Sequence, residues 1–248
     1  MLPFHGNERD GAAKAQGNLF PPTRWSLILD AQDDDPEALA GFCQTYWFPL
    51  YSYARRLNLS PSDAEDLTQS FFERLLSRDV LGAARAERGK LRNFLLSSFA
   101  NFAREDWRRL KAQKRGGRHK ILELDALTAE ERFALEPRGS VTPQVEYERA
   151  WARELLRQAV DKLEAQYESN GSRSVFQALR DHLSDGSSTR CYKEIAAQLG
   201  LTEGATRFAA FKLRQRYRSI LREIVAETVT SQEEVEKELT YLRGLFED

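Results

Sequence analysis

Cysteine and long apolar runs are what this chain of 248 residues lacks most. Only Cys43 and Cys191 occur, far apart, which excludes a disulfide framework and a cysteine-rich metal site. No apolar stretch is long enough to cross a membrane, and the segment 1–22 lacks the apolar core of a signal peptide. We therefore expect a soluble, reduced, cytoplasmic protein with no membrane partner.

Patterns that carry catalytic chemistry are missing as well. His5, His119 and His182 are scattered without partner spacing, no glycine-rich phosphate loop follows a strand, and no pair of carboxylates forms a pocket pattern. We therefore expect a protein that is not an enzyme, with no catalytic residue, no cofactor and no metal site.

Net charge is also absent, because 37 Lys and Arg residues face 38 Asp and Glu residues. The distribution of charge is uneven, however. Residues 85–120 hold twelve basic side chains against three acids, and residues 207–222 hold six against none. Residues 223–248 carry eight acids against two bases. Two basic islands in an otherwise balanced chain indicate a polyanion that is contacted at two places.

The two-residue alternation of β-strands is missing throughout, whereas helical periodicity begins near Thr23, so we predict an all-α fold. Glycine and proline divide it into two small helical domains joined by a linker. The predicted segments are a flexible tail at 1–22, a first domain at 23–115, a linker at 116–144, a second domain at 145–222 and an acidic amphipathic helical extension at 223–248. The linker contains "TAEER", which is compatible with one helical turn.

The segment "YKEIAAQLGLTEGATRFAAFKLRQRYRSIL", residues 192–221, predicts two helices joined by a tight turn. Gly200 can adopt the left-handed conformation that such a turn requires, and Thr202 is placed to cap the second helix. Helix-turn-helix proteins lay this second helix in the major groove of DNA. Thr202, Glu203, Thr206 and Arg207 are then predicted to face base edges, and Lys212, Arg214 and Arg216 to contact phosphates. The alternative is ordinary packing of two helices in a bundle.

Two further motifs are "DAEDLTQSFFERLL", residues 63–76, and "FLLSSFANFAREDWRRLKAQKR", residues 94–115. Together with the segment 192–221 they resemble the sigma-70 family of bacterial RNA polymerase sigma factors, in particular the short extracytoplasmic-function type. "DAEDLTQSFFERLL" resembles the region 2 helix that grips the polymerase clamp, and "FLLSSFANFAREDWRRLKAQKR" resembles the part that melts and reads the minus-10 element. The segment 192–221 resembles the region 4 reader of the minus-35 element. The segments occur in the family's order, with the expected linker between them.

The resemblance implies two further groups of site residues. The minus-10 contacts would be Arg92, Asn93, Asn101, Arg104, Trp107, Arg108, Arg109, Lys111 and Arg115. The polymerase contacts would be Asp63, Glu65, Asp66, Gln69 and Glu73. Without the resemblance, the acidic group reads as a solvated helix face, and Trp107 is as compatible with the core as with DNA.

We therefore expect a transcription initiation factor that binds core RNA polymerase and promoter DNA, with an anti-sigma or other regulatory protein as a candidate third partner. Two alternatives remain from the sequence: a stand-alone helix-turn-helix regulator, and a helical interaction protein whose basic faces bind an acidic partner. The extension "SQEEVEKELTYLRGLF" predicts an amphipathic helix that starts after Ser231. It either packs on the second domain or masks the basic face at 212–222 with its acids.

Overall fold

The computed structural model describes residues 36–76, 90–105, 126–135, 141–183, 190–229 and 231–247. Within these ranges the chain forms nine α-helices, a 3-10 turn at Arg180–His182 and no strand, which confirms the all-α prediction. The helices are α1 Pro36–Arg56, α2 Pro61–Leu76, α3 Leu91–Glu105, α4 Ala126–Ala134, α5 Pro143–Ser169, α6 Arg173–Leu179, α7 Tyr192–Leu199, α8 Glu203–Ala226 and α9 Gln232–Gly244. In the described ranges no helix combines the length and hydropathy that a membrane span requires.

Short-range signals in the sequence place several helix starts. The Ser60 hydroxyl accepts a hydrogen bond from the Asp63 amide at 3.2 Å, immediately before α2, and Pro61 is the first residue of that helix. Thr142 and Ser231 cap α5 and α9 in the same way. Each cap satisfies an amide that has no partner inside its own helix, which is why these residues begin helices.

The longest helix, α5, packs along α1, and this is the most extensive helix pair of the described chain. Trp151 on α5 and Tyr46 and Tyr51 on α1 are among the largest fully buried side chains. The Tyr147 hydroxyl on α5 donates a hydrogen bond to the Arg92 carbonyl at 3.0 Å. The buried side chains of the described residues form one continuous cluster. Since α1 belongs to the predicted first domain and α5 to the predicted second, this cluster spans both. The division into two separate domains is therefore not confirmed.

The segment predicted as a linker contributes packed structure through α4. Glu130 accepts hydrogen bonds from the Tyr51 hydroxyl at 2.7 Å and from the Arg55 guanidinium at 2.7 and 2.8 Å. These contacts to Arg55 hold the pKa of Glu130 below its ordinary value, against the opposing effect of partial burial. Phe133 lies beneath the guanidinium groups of Arg55 and Arg56. The helix is thus longer than the single turn predicted for "TAEER" and binds the end of α1.

The C-terminal helix α9 is amphipathic as predicted, and Val235 and Leu242 are buried against the rest of the fold. It packs on α8, where Glu236 forms an exposed ion pair with Arg222. It also reaches the start of α3, because Glu238 pairs with Lys90 and with Arg92. Packing of α9 is therefore observed, and it extends beyond the predicted second domain, whereas masking of the basic face at 212–222 stays a prediction.

Candidate nucleic-acid interface

A turn of the predicted kind joins α7 to α8. Gly200 has φ 66° and ψ 29°, a left-handed conformation in which its amide donates to the Ala196 carbonyl and closes α7. Thr202 then accepts a hydrogen bond from the Ala205 amide at 3.2 Å and starts α8. Ile195 and Ala196 are buried beneath the turn. A helix-turn-helix arrangement results, in which the start of α8 is exposed.

Two of the predicted base-facing side chains lie together on this exposed start. Glu203 and Arg207 are both exposed and form an ion pair one helical turn apart, with an Nη2–Oε1 distance of 2.7 Å. The Arg207 guanidinium also lies over the Tyr192 ring, 5.4 Å from its centroid. Thr202 is exposed next to them, although its hydroxyl is occupied as a cap. The ion pair is a surface contact and is therefore easily exchanged for another partner.

Thr206 does not belong to the base-facing set. Its side chain is fully buried, and its hydroxyl donates to the Thr202 carbonyl at 3.0 Å. With Ala210 and Leu213 it forms the inward stripe of α8, at intervals of four and three residues. This removes Thr206 from direct contact with a groove.

The predicted phosphate contacts on α8 differ in their surroundings. Lys212 is exposed, with its ammonium group 5.5 Å from the centroid of the Phe208 ring. Arg216 is exposed and donates to the Gln166 side chain at 2.7 Å. Arg214 is half-buried and donates to the His182 carbonyl at 3.2 Å. Lys212 and Arg216 can thus reach a phosphate from the surface, whereas Arg214 holds α8 to the 3-10 turn.

Arg92, a predicted minus-10 contact, lies in the interior. Only 6 % of its surface is exposed, and its guanidinium lies between the rings of Trp151 and Tyr241, 4.9 and 4.6 Å from their centroids. Its Nη1 atom is 3.2 Å from Glu238, which is 1 % exposed. A charge enclosed by two rings and a carboxylate is not available to DNA in this conformation. The signal for this burial lies in α5 and α9, far along the sequence.

The remaining minus-10 predictions divide between surface residues and residues outside the described ranges. Asn93, Asn101 and Arg104 are exposed on α3. Burial raises the pKa of Tyr53 beneath this helix, and the nearby positive charge of Arg104 partly opposes the shift. Trp107, Arg108, Arg109, Lys111 and Arg115 lie outside the described residues.

The predicted polymerase-binding residues share one side of α2, but this side is less open than a solvated face. Glu73 is exposed, while Asp63, Glu65, Asp66 and Gln69 are half-buried. The opposite side of the helix packs Leu67, Phe71 and Phe72 into the core. In the described residues no cluster of histidine, cysteine and carboxylate side chains could hold a metal ion.

Two exposed side chains of α8 are not among the predicted site residues. Phe208 and Phe211 are exposed by 61 % and 54 %, and both project from the side of α8 that is opposite Ala210 and Leu213. The helical repeat offered the signal, since residues 204, 208 and 211 recur on one face that the inward stripe leaves out.

Comparison with known proteins finds no match: no protein-family model fits the chain, and no curated protein or solved structure is significantly similar to it.

Proposed function

We propose that this protein is a transcription initiation factor of the sigma-70 type, which binds core RNA polymerase and directs it to promoters. The observation that carries the proposal is the start of α8, where Gly200 and Thr202 set a turn that leaves Glu203 and Arg207 exposed. Helix-turn-helix proteins read base edges in the major groove from this position. Lys212 and Arg216 supply exposed cations at the distance along the helix where phosphates would lie.

The exposed end of α2 supports the polymerase part of the proposal. Glu73 near its end and the half-buried Asp63, Glu65 and Asp66 in its first half give this helix one acidic side, while its other side is fixed in the core. An acidic helix is complementary to a basic helical element of a partner, and such complementarity chiefly sets association rate and specificity. Together the two surfaces fit a protein that connects polymerase to DNA.

The test is reconstitution of the full chain with core RNA polymerase from a bacterium, followed by transcription from a genomic fragment library. We expect the chain to co-elute with core polymerase and to produce defined start sites that core polymerase alone does not produce. Glu73→Lys should weaken co-elution strongly. Glu233→Lys, an equal charge reversal at an exposed position of α9, is the matched control and should co-elute as the native chain does.

The outcomes separate the candidate functions. Salt-dependent binding to duplex DNA without co-elution would overturn the sigma assignment and leave a stand-alone helix-turn-helix regulator. Loss of both activities would leave a helical interaction protein that binds an acidic partner. Equal co-elution of the Glu73→Lys and Glu233→Lys variants would show that α2 is not the docking surface.

A further inference from the structure

The exposed face of α8 carries an unusual concentration of apolar surface. Six large hydrophobic side chains are exposed in the described part of the chain, and three of them belong to the helix-turn-helix: Leu201, Phe208 and Phe211. Single exposed apolar side chains are ordinary, but a pair of phenylalanines one turn apart forms a patch. A patch of this kind indicates a surface that another molecule covers.

Gly204 lies at the centre of the same face. At about 100° per residue, Gly204, Arg207, Phe208 and Phe211 fall within an arc of about 100°. A Cβ atom at Gly204 would meet no atom within 4 Å, so packing inside the protein does not require glycine there. Glycine destabilises a helix relative to alanine and is favoured where a ligand approaches the backbone closely. The glycine and the two phenylalanines therefore point to one contact surface.

The charges around this surface identify the class of partner. Beyond Glu203 the exposed charges of α8 are basic as far as Arg222, and they include Arg207, Lys212, Arg216 and Arg218. A polyanion is favoured by such a helix over an acidic or neutral apolar protein groove. Duplex DNA offers this polyanion, and its major groove admits an α-helix.

We propose that Phe208 and Phe211 are specificity-determining residues that contact the C5-methyl groups of thymine in the major groove. The inference rests on the proposed DNA-binding function and adds the base that is read. The thymine methyl is the apolar group that base edges present in this groove, and phenylalanine is among the side chains that contact it. Lys212, whose ammonium lies over the Phe208 ring, then faces the adjacent phosphate backbone.

The expected size of the effect follows from the group that is buried. One methyl group enclosed against an aromatic ring should change the dissociation constant about fourfold, which corresponds to roughly 0.8 kcal/mol. Replacing thymine by deoxyuridine removes this methyl and leaves every hydrogen-bonding group of the base in place. The substitution therefore isolates the contact from polar readout.

The experiment uses a 20-base-pair duplex selected from a random library by the full chain, alone and bound to core polymerase. Each thymine is then replaced in turn by deoxyuridine. We expect one or two replacements to weaken native binding about fourfold. Phe208→Ala or Phe211→Ala should weaken binding to the thymine duplex by a similar factor and should show no further loss with deoxyuridine at the matching position. Phe246→Ala, which removes an exposed phenylalanine from outside the helix-turn-helix, is the matched control and should bind normally.

Three results would overturn the inference. The first is unchanged affinity at every deoxyuridine position. The second is a deoxyuridine effect of equal size in the native chain and in both phenylalanine variants. The third is normal DNA binding by these variants with loss of polymerase binding, which would assign the face to a protein partner. If the chain bound no duplex at all, alone or with polymerase, the DNA-binding function itself would be refuted, whereas salt-dependent binding without a methyl effect would refute only the thymine contact.

Discussion

The contact between Glu238 and the start of α3 gives the strongest prediction for stability. Glu238→Gln removes the carboxylate that neutralises Arg92, whose charge then remains enclosed between two aromatic rings. Breaking one partner of a buried pair costs about 3–5 kcal/mol because the other charge is left uncompensated. The exposures of 1 % and 6 % place this pair in that class. We therefore expect the midpoint of thermal unfolding to fall by about 6–20 °C, at roughly 2–4 °C per kcal/mol for a chain of this size.

A matched control lies two residues away on the same helix. Glu236 pairs with Arg222, and both are exposed, so Glu236→Gln should cost less than about 1 kcal/mol. Urea unfolding followed by circular dichroism gives both values, and the double variant Arg92→Met with Glu238→Gln should cost less than the sum of the single changes. Equal small losses for Glu238→Gln and Glu236→Gln would refute the docking of α9 on α3.

Four further predictions follow from other contacts. Arg207→Ala should relax base preference at one position and reduce the binding free energy by about 1–3 kcal/mol. Lys212→Ala should instead weaken binding to all sequences and reduce by about one the slope of the binding constant against salt concentration on logarithmic scales, as DNA-binding titrations over a salt series would reveal. Burial raises the pKa of the Cys43 thiol to about 12, so a thiol reagent at pH 8 should modify exposed Cys191 and leave Cys43 untouched until unfolding; equal rates would contradict this burial. Since Arg55 holds the pKa of Glu130 low, the stability that Glu130 adds is present above the unfolded pKa of about 4.3 and is lost as pH falls through the lower folded pKa. Glu130→Gln should therefore destabilise at pH 7, and its stability should converge with that of the native chain only below the folded pKa, as urea titrations over pH would show. Two promoter elements about 25 base pairs apart lie roughly 85 Å from each other at about 3.4 Å per base pair, whereas a compact chain of this length has a radius of gyration of only about 18 Å. If the chain contacts both elements at once, its two ends must separate, so energy transfer between labels at Gln44→Cys and Cys191 should fall when the promoter complex forms. Unchanged transfer would contradict simultaneous contact with both elements.

Local signals in the sequence were sufficient for the helices and the turn. Gly200, Thr202 and Ser60 act within four residues of their own position, so their roles can be read from neighbouring letters. The stripe of Thr206, Ala210 and Leu213 was also available, and it outweighs the general helix-turn-helix geometry that placed Thr206 against bases. Burial of Arg92 could not be predicted in this way, because Trp151 and Tyr241 are distant in sequence and no periodicity within α3 refers to them.

The packed α4 was underestimated for a related reason. Its nine residues give a weak periodic signal, and much of its attachment comes from Glu130 bound to Arg55 and Tyr51 of α1. A short helix gains little from its own propensity, and tertiary contacts decide whether it forms. The separation into two domains was inferred from glycine and proline near this segment, and those residues report chain flexibility rather than which distant helices pack together.

The ion pair between Lys90 and Glu238 joins residues that are 148 positions apart, and this has a consequence during synthesis on the ribosome. At about 5–20 residues per second, the start of α3 waits roughly 7–30 s before its carboxylate partner is made. During that interval Arg92 has no counter-charge from α9, so its guanidinium is more stable in contact with water than buried in the protein. The enclosure of Arg92 is thus expected only after α9 has emerged, because Tyr241 and Glu238 both belong to that helix.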